Sequence, residues 1–182
     1  MVYLTTYQSD LGEILLASDG TNLIGLWFKD QKYYGANLIN DITKTTKKDD
    51  LVIFEETKKW LDEYFSGQQP ALKQLKISFN GSAFAKEVWQ VLCEIKYGQT
   101  ISYKEVGEIV AQRMNKTTMS NQAIGGAVGH NPISIIVPCH RVVGTNLSLT
   151  GYAGGIERKI KLLELEQVDT KQFKRPNRGS AL

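Results

Sequence analysis

The first 28 residues place apolar side chains in three short bursts. Val2-Tyr3-Leu4-Thr5-Thr6-Tyr7 is β-branched and aromatic, Leu11-Gly12-Glu13-Ile14-Leu15-Leu16-Ala17 follows a short turn, and Asp19-Gly20 marks a tight turn before Leu23-Ile24-Gly25-Leu26-Trp27-Phe28. This pattern predicts three strands in an antiparallel meander. Residues 29–50 are polar and read as loop, or loop with a short helix. The period then lengthens: Leu51, Phe54, Lys58, Leu61 and Phe65 fall near one helical face, with Trp60 and Tyr64 beside it, and Ser66-Gly67 ends the helix. Leu75 to Ser78 is a short candidate strand. The domain junction is expected here, leaving residues 1–79 as an N-terminal scaffold.

Gly81-Ser82 opens the second half. Ser82 is placed to cap a helix over 83–95 with Phe84, Val88, Val91, Leu92 and Ile95 on its apolar face. Ser102 caps the next helix, 103–113, with Glu105 at the capping-box position and Tyr103, Val106, Ile109 and Val110 as its stripe. A polar connection leads to Ser120, which caps a third helix over 121–130. Asn131-Pro132 stops it, because the residue before proline is driven out of the helical region. The β-branched run Ile133-Ser134-Ile135-Ile136-Val137 predicts a strand. A Gly-rich loop over 144–155 and a helix over 156–168 follow. The tail, 169–182, carries Lys171, Lys174, Arg175 and Arg178 and is expected to fray.

The third helix holds three glycines, Gly125, Gly126 and Gly129, each costing roughly 1 kcal/mol against alanine in a helix interior. Ile124 and Val128 anchor one face, and the opposite face is nearly all glycine and alanine. Either another part of the protein packs on that small face, or a partner approaches it closely. With the helix before it, this forms a helix-turn-helix-like unit.

The apolar run 133–137 ends on Pro138-Cys139-His140-Arg141-Val142. A thiol beside an imidazole at the end of a supported segment points to a held nucleophile, since the thiolate is the reactive form. The chain has two cysteines and two histidines in 182 residues, too few for a credible zinc set. The two distant cysteines do not form a disulfide framework, so reduced thiols and a cytoplasmic protein are expected. No signal peptide is evident, and no apolar run approaches the ~18 residues of a membrane span. A net charge of +3 permits a polyanionic partner without requiring one. Cys93 reads as a buried structural thiol, His130 as interacting with a helix C-terminus, and Arg141 as half of a structural ion pair.

These residues carry a resemblance. The Pro-Cys-His-Arg-Val segment after Asn131-Pro132 resembles the active-site signature of O6-alkylguanine-DNA alkyltransferases. So do Phe84-x-x-x-Val88-Trp89, Gly98-Gln99-Thr100-x-Ser102-Tyr103, Ala123-Ile124-Gly125-Gly126-Ala127-Val128, Gly151-Tyr152-Ala153-Gly154-Gly155 and Leu162-Leu163-Glu164-Leu165-Glu166, in family order. The resemblance implies an α+β protein. Its parts would be a small N-terminal α/β domain with an antiparallel, ribonuclease H-like sheet and a mainly helical, winged helix-turn-helix-like domain over 80–168.

It also implies irreversible transfer of an alkyl group from O6-alkylguanine, and from O4-alkylthymine, in double-stranded DNA to Cys139, one group per molecule. No cofactor, metal or membrane is involved, and a monomer is expected. On this resemblance His140 is the base, acting through a water, and Glu166 orients it. Tyr103 donates toward the leaving base, and Asn131 ties the recognition helix to the cysteine segment. Gln122, Ala123, Gly125, Gly126, Ala127 and Gly129 face the minor groove, which is only about 6 Å wide. The damaged base is flipped into a pocket lined by Val137, Tyr152 and Ala153. The carbonyls of Val137 and Cys139 read its exocyclic amine.

Two departures stand out. Gln122 occupies the place where many relatives carry an arginine finger; glutamine offers a donor and an acceptor but no charge. The connection over 112–120 is several residues longer than in some relatives, and Lys116 and Arg113 are placed to meet phosphate there. Two other functions compete. A lesion binder on the same fold would be expected to lack the cysteine. In a hydrolase, direct pairing of adjacent Cys and His is disfavoured on an extended strand, where they face opposite ways.

Overall fold

The structure, a computed structural model, describes residues 1–36, 38 and 45–176. It holds two compact units, Met1–Asn80 with Pro132–Ser134, and Gly81–Asn131 with Ile135 onward. In the first, β1 (Val2–Ser9), β2 (Gly12–Ser18) and β3 (Leu23–Phe28) form the meander, with Tyr7 opposite Ile14 and Leu16 opposite Leu26.

A fourth strand, β4 (Thr45–Lys47), pairs parallel to β1, giving the order β3-β2-β1-β4. The sheet is therefore mixed rather than wholly antiparallel. Thr45-Thr46-Lys47 is too short and too polar to announce a strand, which is how a tolerated edge strand reads. The rest of the expected loop at 37 and 39–44 lies outside the described residues. Helix α1 (Val52–Phe65) buries Ile53, Phe54, Leu61 and Tyr64 and packs on the sheet, each such side chain contributing about 1.5–3 kcal/mol. The candidate strand Leu75–Ser78 reduces to a single bridge between Ile77 and Leu23.

The expected strand over 133–137 does not form. Only Ile133 pairs, as a bridge to Leu26, with the Leu26 N–H donating to the Pro132 carbonyl and the Ser134 N–H to the Leu26 carbonyl. The backbone then turns at Ile135, whose φ of 70° is rare for a β-branched residue. The run is apolar because every residue from 131 to 143 is buried, not because it is extended.

In the second unit the capping residues act as the sequence implies. Ser82 accepts from the Ala85 N–H at the start of α2 (Ala83–Cys93). Ser102 and Glu105 form the reciprocal capping box of α3 (Tyr103–Arg113), and Ser120 caps α4 (Asn121–Gly129). Val88 and Leu92 of α2, Val106 and Val110 of α3, and Ile124 and Val128 of α4 make one core. Short parallel strands β5 (Ile101–Ser102) and β6 (Val142–Val143) lie beside it.

Helix α5 (Ile156–Leu165) ends three residues earlier than its periodicity predicts. The tail is not frayed where it is described: Phe173 joins Val143, Leu149, Ile160 and Leu163 in a buried cluster, and Lys174 bonds through its backbone to Leu147 and Leu149. Arg178 lies outside the described residues.

Candidate active site

Pro138 leads into a 3₁₀ turn, Cys139–Arg141, whose three residues are all buried. On a turn, unlike a strand, neighbouring side chains need not face opposite ways. The Asn131 side chain, just past the end of α4, donates from Nδ2 to the Val137 carbonyl at 2.7 Å and to Cys139 Sγ at 3.1 Å. One amide thereby links the end of the small-residue helix to the thiol.

His140 is fully buried, and its Nε2 lies 2.7 Å from Glu166 Oε1. A carboxylate only accepts, so Nε2 carries the hydrogen and the ring's lone pair is on Nδ1. Burial lowers the pKa of the imidazole, against the pull of Glu166, so at neutral pH the ring is uncharged and able to take a proton.

Glu166 is held from three further directions. Arg141 Nε and Nη2 donate to it at 2.8 and 3.0 Å, and the Gly98 N–H donates at 3.2 Å. Burial pushes this carboxyl up, but the bonds from His140 and Arg141 outweigh it and keep the group well below the usual carboxylate range. Arg141 also donates to the Ile95 carbonyl and lies over the Tyr97 ring, whose hydroxyl donates to the Leu165 carbonyl. Arg141 is thus a structural ion-pair partner, as its position implies.

The Cys139 thiol is raised by burial, with the Asn131 bond and the Lys159 charge opposing. At rest the site therefore pairs a neutral thiol with a neutral imidazole, and the nucleophile needs a base.

Tyr103, at the start of α3, places its hydroxyl 3.2 Å from the carbonyls of both Thr150 and Gly151. Its single proton is committed to the loop before any base arrives. Burial, then proximity to Cys139, raises its pKa. Tyr152 is buried with its ring nearly perpendicular to that of His140, the ring centres 6.4 Å apart, and its hydroxyl has no protein partner. Ala153 is half-buried on the same loop. The Val137 carbonyl already accepts from Asn131 and from the Cys139 N–H at 2.9 Å, and the Cys139 carbonyl accepts from Val142. Reading an amine at Val137 therefore requires a donor to be displaced.

On α4, Gln122, Ala123 and Gly126 are exposed and Gly125 and Gly129 half-buried. A Cβ at Gly125 or Gly126 would meet nothing within 4 Å. The small face is thus open at these two positions. Ala127 departs from the expected face: it is buried, and its carbonyl accepts from Trp89 Nε1 at 2.9 Å. His130 Nδ1 lies 2.7 Å from the Gly126 carbonyl, as a helix-terminal role implies. Arg113, a candidate phosphate contact, instead pairs with Glu87 and Glu94 at 3.3 and 2.7 Å. Cys93 is half-buried.

Sequence reasoning missed Lys159, which is fully buried beside the site. A signal was present: the lysine is in phase with the apolar stripe Ile156, Ile160 and Leu163.

Both halves of the chain match known proteins. Residues 2–79 match the ribonuclease-like domain of 6-O-methylguanine DNA methyltransferase, and residues 83–168 match its DNA binding domain. A methylated-DNA–protein-cysteine methyltransferase of Haemophilus influenzae is 38% identical over 167 residues, 92% of this chain and 87% of the relative. One from Methanosarcina mazei is 39% identical over 171 residues, 93% of this chain and 100% of the relative. The crystal structure of Mycobacterium tuberculosis O6-methylguanine methyltransferase superposes with a TM-score of 0.74 at 36% identity, covering 96% of each chain. That of Mycobacterium tuberculosis OGT in complex with DNA gives 0.75 at 36% identity, covering 94% of each. With both halves matched in order and a buried Cys-His-Glu site in the second, the chain belongs to the O6-methylguanine DNA methyltransferase family.

Proposed function

We propose that the protein binds double-stranded DNA bearing O6-alkylguanine, or O4-alkylthymine, as a monomer in the cytoplasm and repairs it by moving the alkyl group onto Cys139. The observation that carries this reading is the buried relay in which Glu166 holds His140 Nε2–H and leaves Nδ1 as the basic nitrogen beside the cysteine turn. The thiol proton passes to His140 through a water. Sγ forms a bond to the alkyl carbon as the carbon–O6 bond breaks, and the guanine leaves with the bonding pair and takes up a proton. Tyr103 can supply a hydrogen bond to that base once its hydroxyl leaves the loop carbonyls. The product thioether has no good leaving group, so the molecule is spent. Incubation with a duplex carrying O6-methylguanine, followed by peptide mapping, tests the reading: the methyl is expected on Cys139, and a methyl on any other residue contradicts it.

The open face of α4, with Gln122, Ala123, Gly125, Gly126 and Gly129, is the surface for the minor groove. This gives an opposed pair of effects at Gly126. Gly126→Ala is expected to stabilise the helix by about 1 kcal/mol, raising the melting temperature by about 2–4 °C, because alanine fits the empty space and loses less backbone entropy. The same methyl is expected to weaken duplex binding. Thermal melts and binding isotherms check both, and an affinity equal to that of the original chain counts against the groove assignment. Gln122 acts as the finger that fills the gap left by the flipped base. Gln122→Ala is expected to slow repair of duplex substrate, and single-turnover rates check it.

A further inference from the structure

The family match ends at residue 168, but the chain beyond it is folded. Glu166 closes α5, and Gln167 takes a left-handed conformation, φ 62°. The Val168 N–H then donates to the Leu163 carbonyl and the Gln167 N–H to the Glu164 carbonyl, both at 2.9 Å. This is the bond pair of a Schellman turn, which reverses the chain at a helix end. Asp169 caps a 3₁₀ turn, Thr170–Gln172, and Thr170 Oγ1 donates to Glu164 at 2.9 Å. The tail is thereby led back along the helix it has just left, as far as an Arg175–Glu157 pair at 2.8 Å.

Phe173 is the anchor. It is buried in a cluster with Val143, Leu149, Ile160 and Leu163, against which Ile156 and Val168 pack. Backbone bonds fix the register: the Lys174 N–H donates to the Leu147 carbonyl at 2.8 Å, and the Leu149 N–H to the Lys174 carbonyl at 3.0 Å. Three segments of the site meet here. Val143 follows the cysteine turn, Leu149 precedes Tyr152 and Ala153 on the loop, and Leu163 lies on the helix that ends at Glu166. Between Val143 and Leu149 the loop turns tightly, with the Gly144 N–H donating to the Ser148 carbonyl at 2.8 Å. Leu147, at the tip, is exposed with a φ of 63°, a strained conformation that persists only when the surrounding structure holds it. The bond from Lys174 is one such hold.

We propose that residues 169–175 are a strap on the pocket loop, with Phe173 a positioning residue that sets which alkyl groups the site accepts. The role rests on the transfer to Cys139 proposed above, in which Tyr152 and Ala153 wall the pocket. A strap that fixes Leu149 fixes the near end of that wall. The wall has other ties: the Tyr103 hydroxyl meets the carbonyls of Thr150 and Gly151, and Arg158 donates to the Gly154 carbonyl at 3.1 Å. Held at both ends, the wall presses a small group toward Sγ and leaves no room for a large one. Released at Leu149, it no longer fixes a methyl carbon at reacting distance, while a bulky group gains space.

Phe173→Ala removes the anchor, and Phe173→Leu keeps apolar bulk in its place. Single-turnover transfer is measured with duplexes carrying O6-methylguanine and O6-benzylguanine, well below each variant's melting temperature, with duplex affinity and peptide mapping of Cys139 alongside. In Phe173→Ala the methyl rate is expected to fall about tenfold and the benzyl rate about threefold or less, with duplex affinity within about twofold of the original. Phe173→Leu is expected to restore most of the methyl rate. A folded Phe173→Ala whose two rates fall by the same factor, or do not fall, overturns the strap and leaves Cys139 as the acceptor. An alkyl group found elsewhere than on Cys139 in the natural protein sinks the transfer reading, and the strap with it. If Phe173→Ala does not fold, Lys174→Pro takes its place. Phe173 is already extended, at φ −92° and ψ 145°, as a residue before proline must be, and the substitution removes the N–H that donates to the Leu147 carbonyl. The benzyl-to-methyl ratio is again expected to rise, and an unmoved ratio overturns the proposal.

Discussion

Cys139→Ala is expected to abolish alkyl transfer completely while leaving binding of the damaged duplex intact. Cys93 is the one other thiol in the sequence. Cys93 is half-buried on α2, and burial, followed by the Glu94 charge, pushes its thiol up to about 11. The loss of one small buried group costs about 1 kcal/mol. Asn131 keeps its bond to the Val137 carbonyl when the sulfur goes, so the link from α4 to the cysteine turn survives. The open face of α4 is untouched. Binding isotherms with a methylguanine duplex, set beside transfer assays, check the pair of outcomes. Residual transfer would mean another acceptor, and a joint loss of binding would mean that the sulfur supports the fold.

Glu166→Gln carries the second large effect, and it acts on both stability and rate. The carboxylate accepts from His140, twice from Arg141 and from Gly98. Glutamine presents one accepting oxygen and one donating amide to the same set of donors, and it leaves a buried guanidinium without its counter-charge. Breaking such a pair typically costs about 3–5 kcal/mol. The imidazole also loses the acceptor that fixes its tautomer, so transfer is expected to slow by on the order of a hundredfold without stopping.

The pH dependence has a definite sign. The folded-state pKa of Glu166 lies below its unfolded value, so its stabilisation is fully present above the ordinary carboxylate pKa of about 4.3 and drains away as pH falls toward the depressed value. Acid unfolding of the natural protein is therefore expected to include a loss that Glu166→Gln lacks. Denaturant melts between neutral and acidic pH measure it, and parallel slopes for the two proteins would remove Glu166 from the stability account.

The helices of the second unit were readable because local chemistry marks their ends. Ser82, the Ser102–Glu105 box and Ser120 each satisfy backbone donors at the positions where the pattern begins. The meander was readable for a similar reason, with turns at the right spacing. The segment 133–137 was not, because an apolar run records burial and not backbone shape; a positive φ at Ile135 leaves no trace in hydrophobicity. β4 is polar and short, so neither alternation nor propensity reveals it. Phe173, a lone aromatic in a basic stretch, was the available sign that the tail docks.

At the site, adjacency disclosed Cys139 and His140. Resemblance alone supplied Glu166, Tyr103 and Asn131, since the bonds of Glu166 and Asn131 to the Cys-His pair form only in the folded chain. The commitment of the Tyr103 hydroxyl to two loop carbonyls, and of the Val137 carbonyl to two N–H groups, could be learned only from coordinates.

The most direct measurement is a stoichiometric one: a fixed amount of protein titrated with an excess of duplex bearing methylguanine, with restored guanine counted and the protein weighed intact afterwards. One restored base per molecule is expected, with every molecule heavier by a single methyl in place of a hydrogen and no further repair on longer incubation. Repair continuing past one base per molecule, or restored DNA beside protein of unchanged mass, would contradict it.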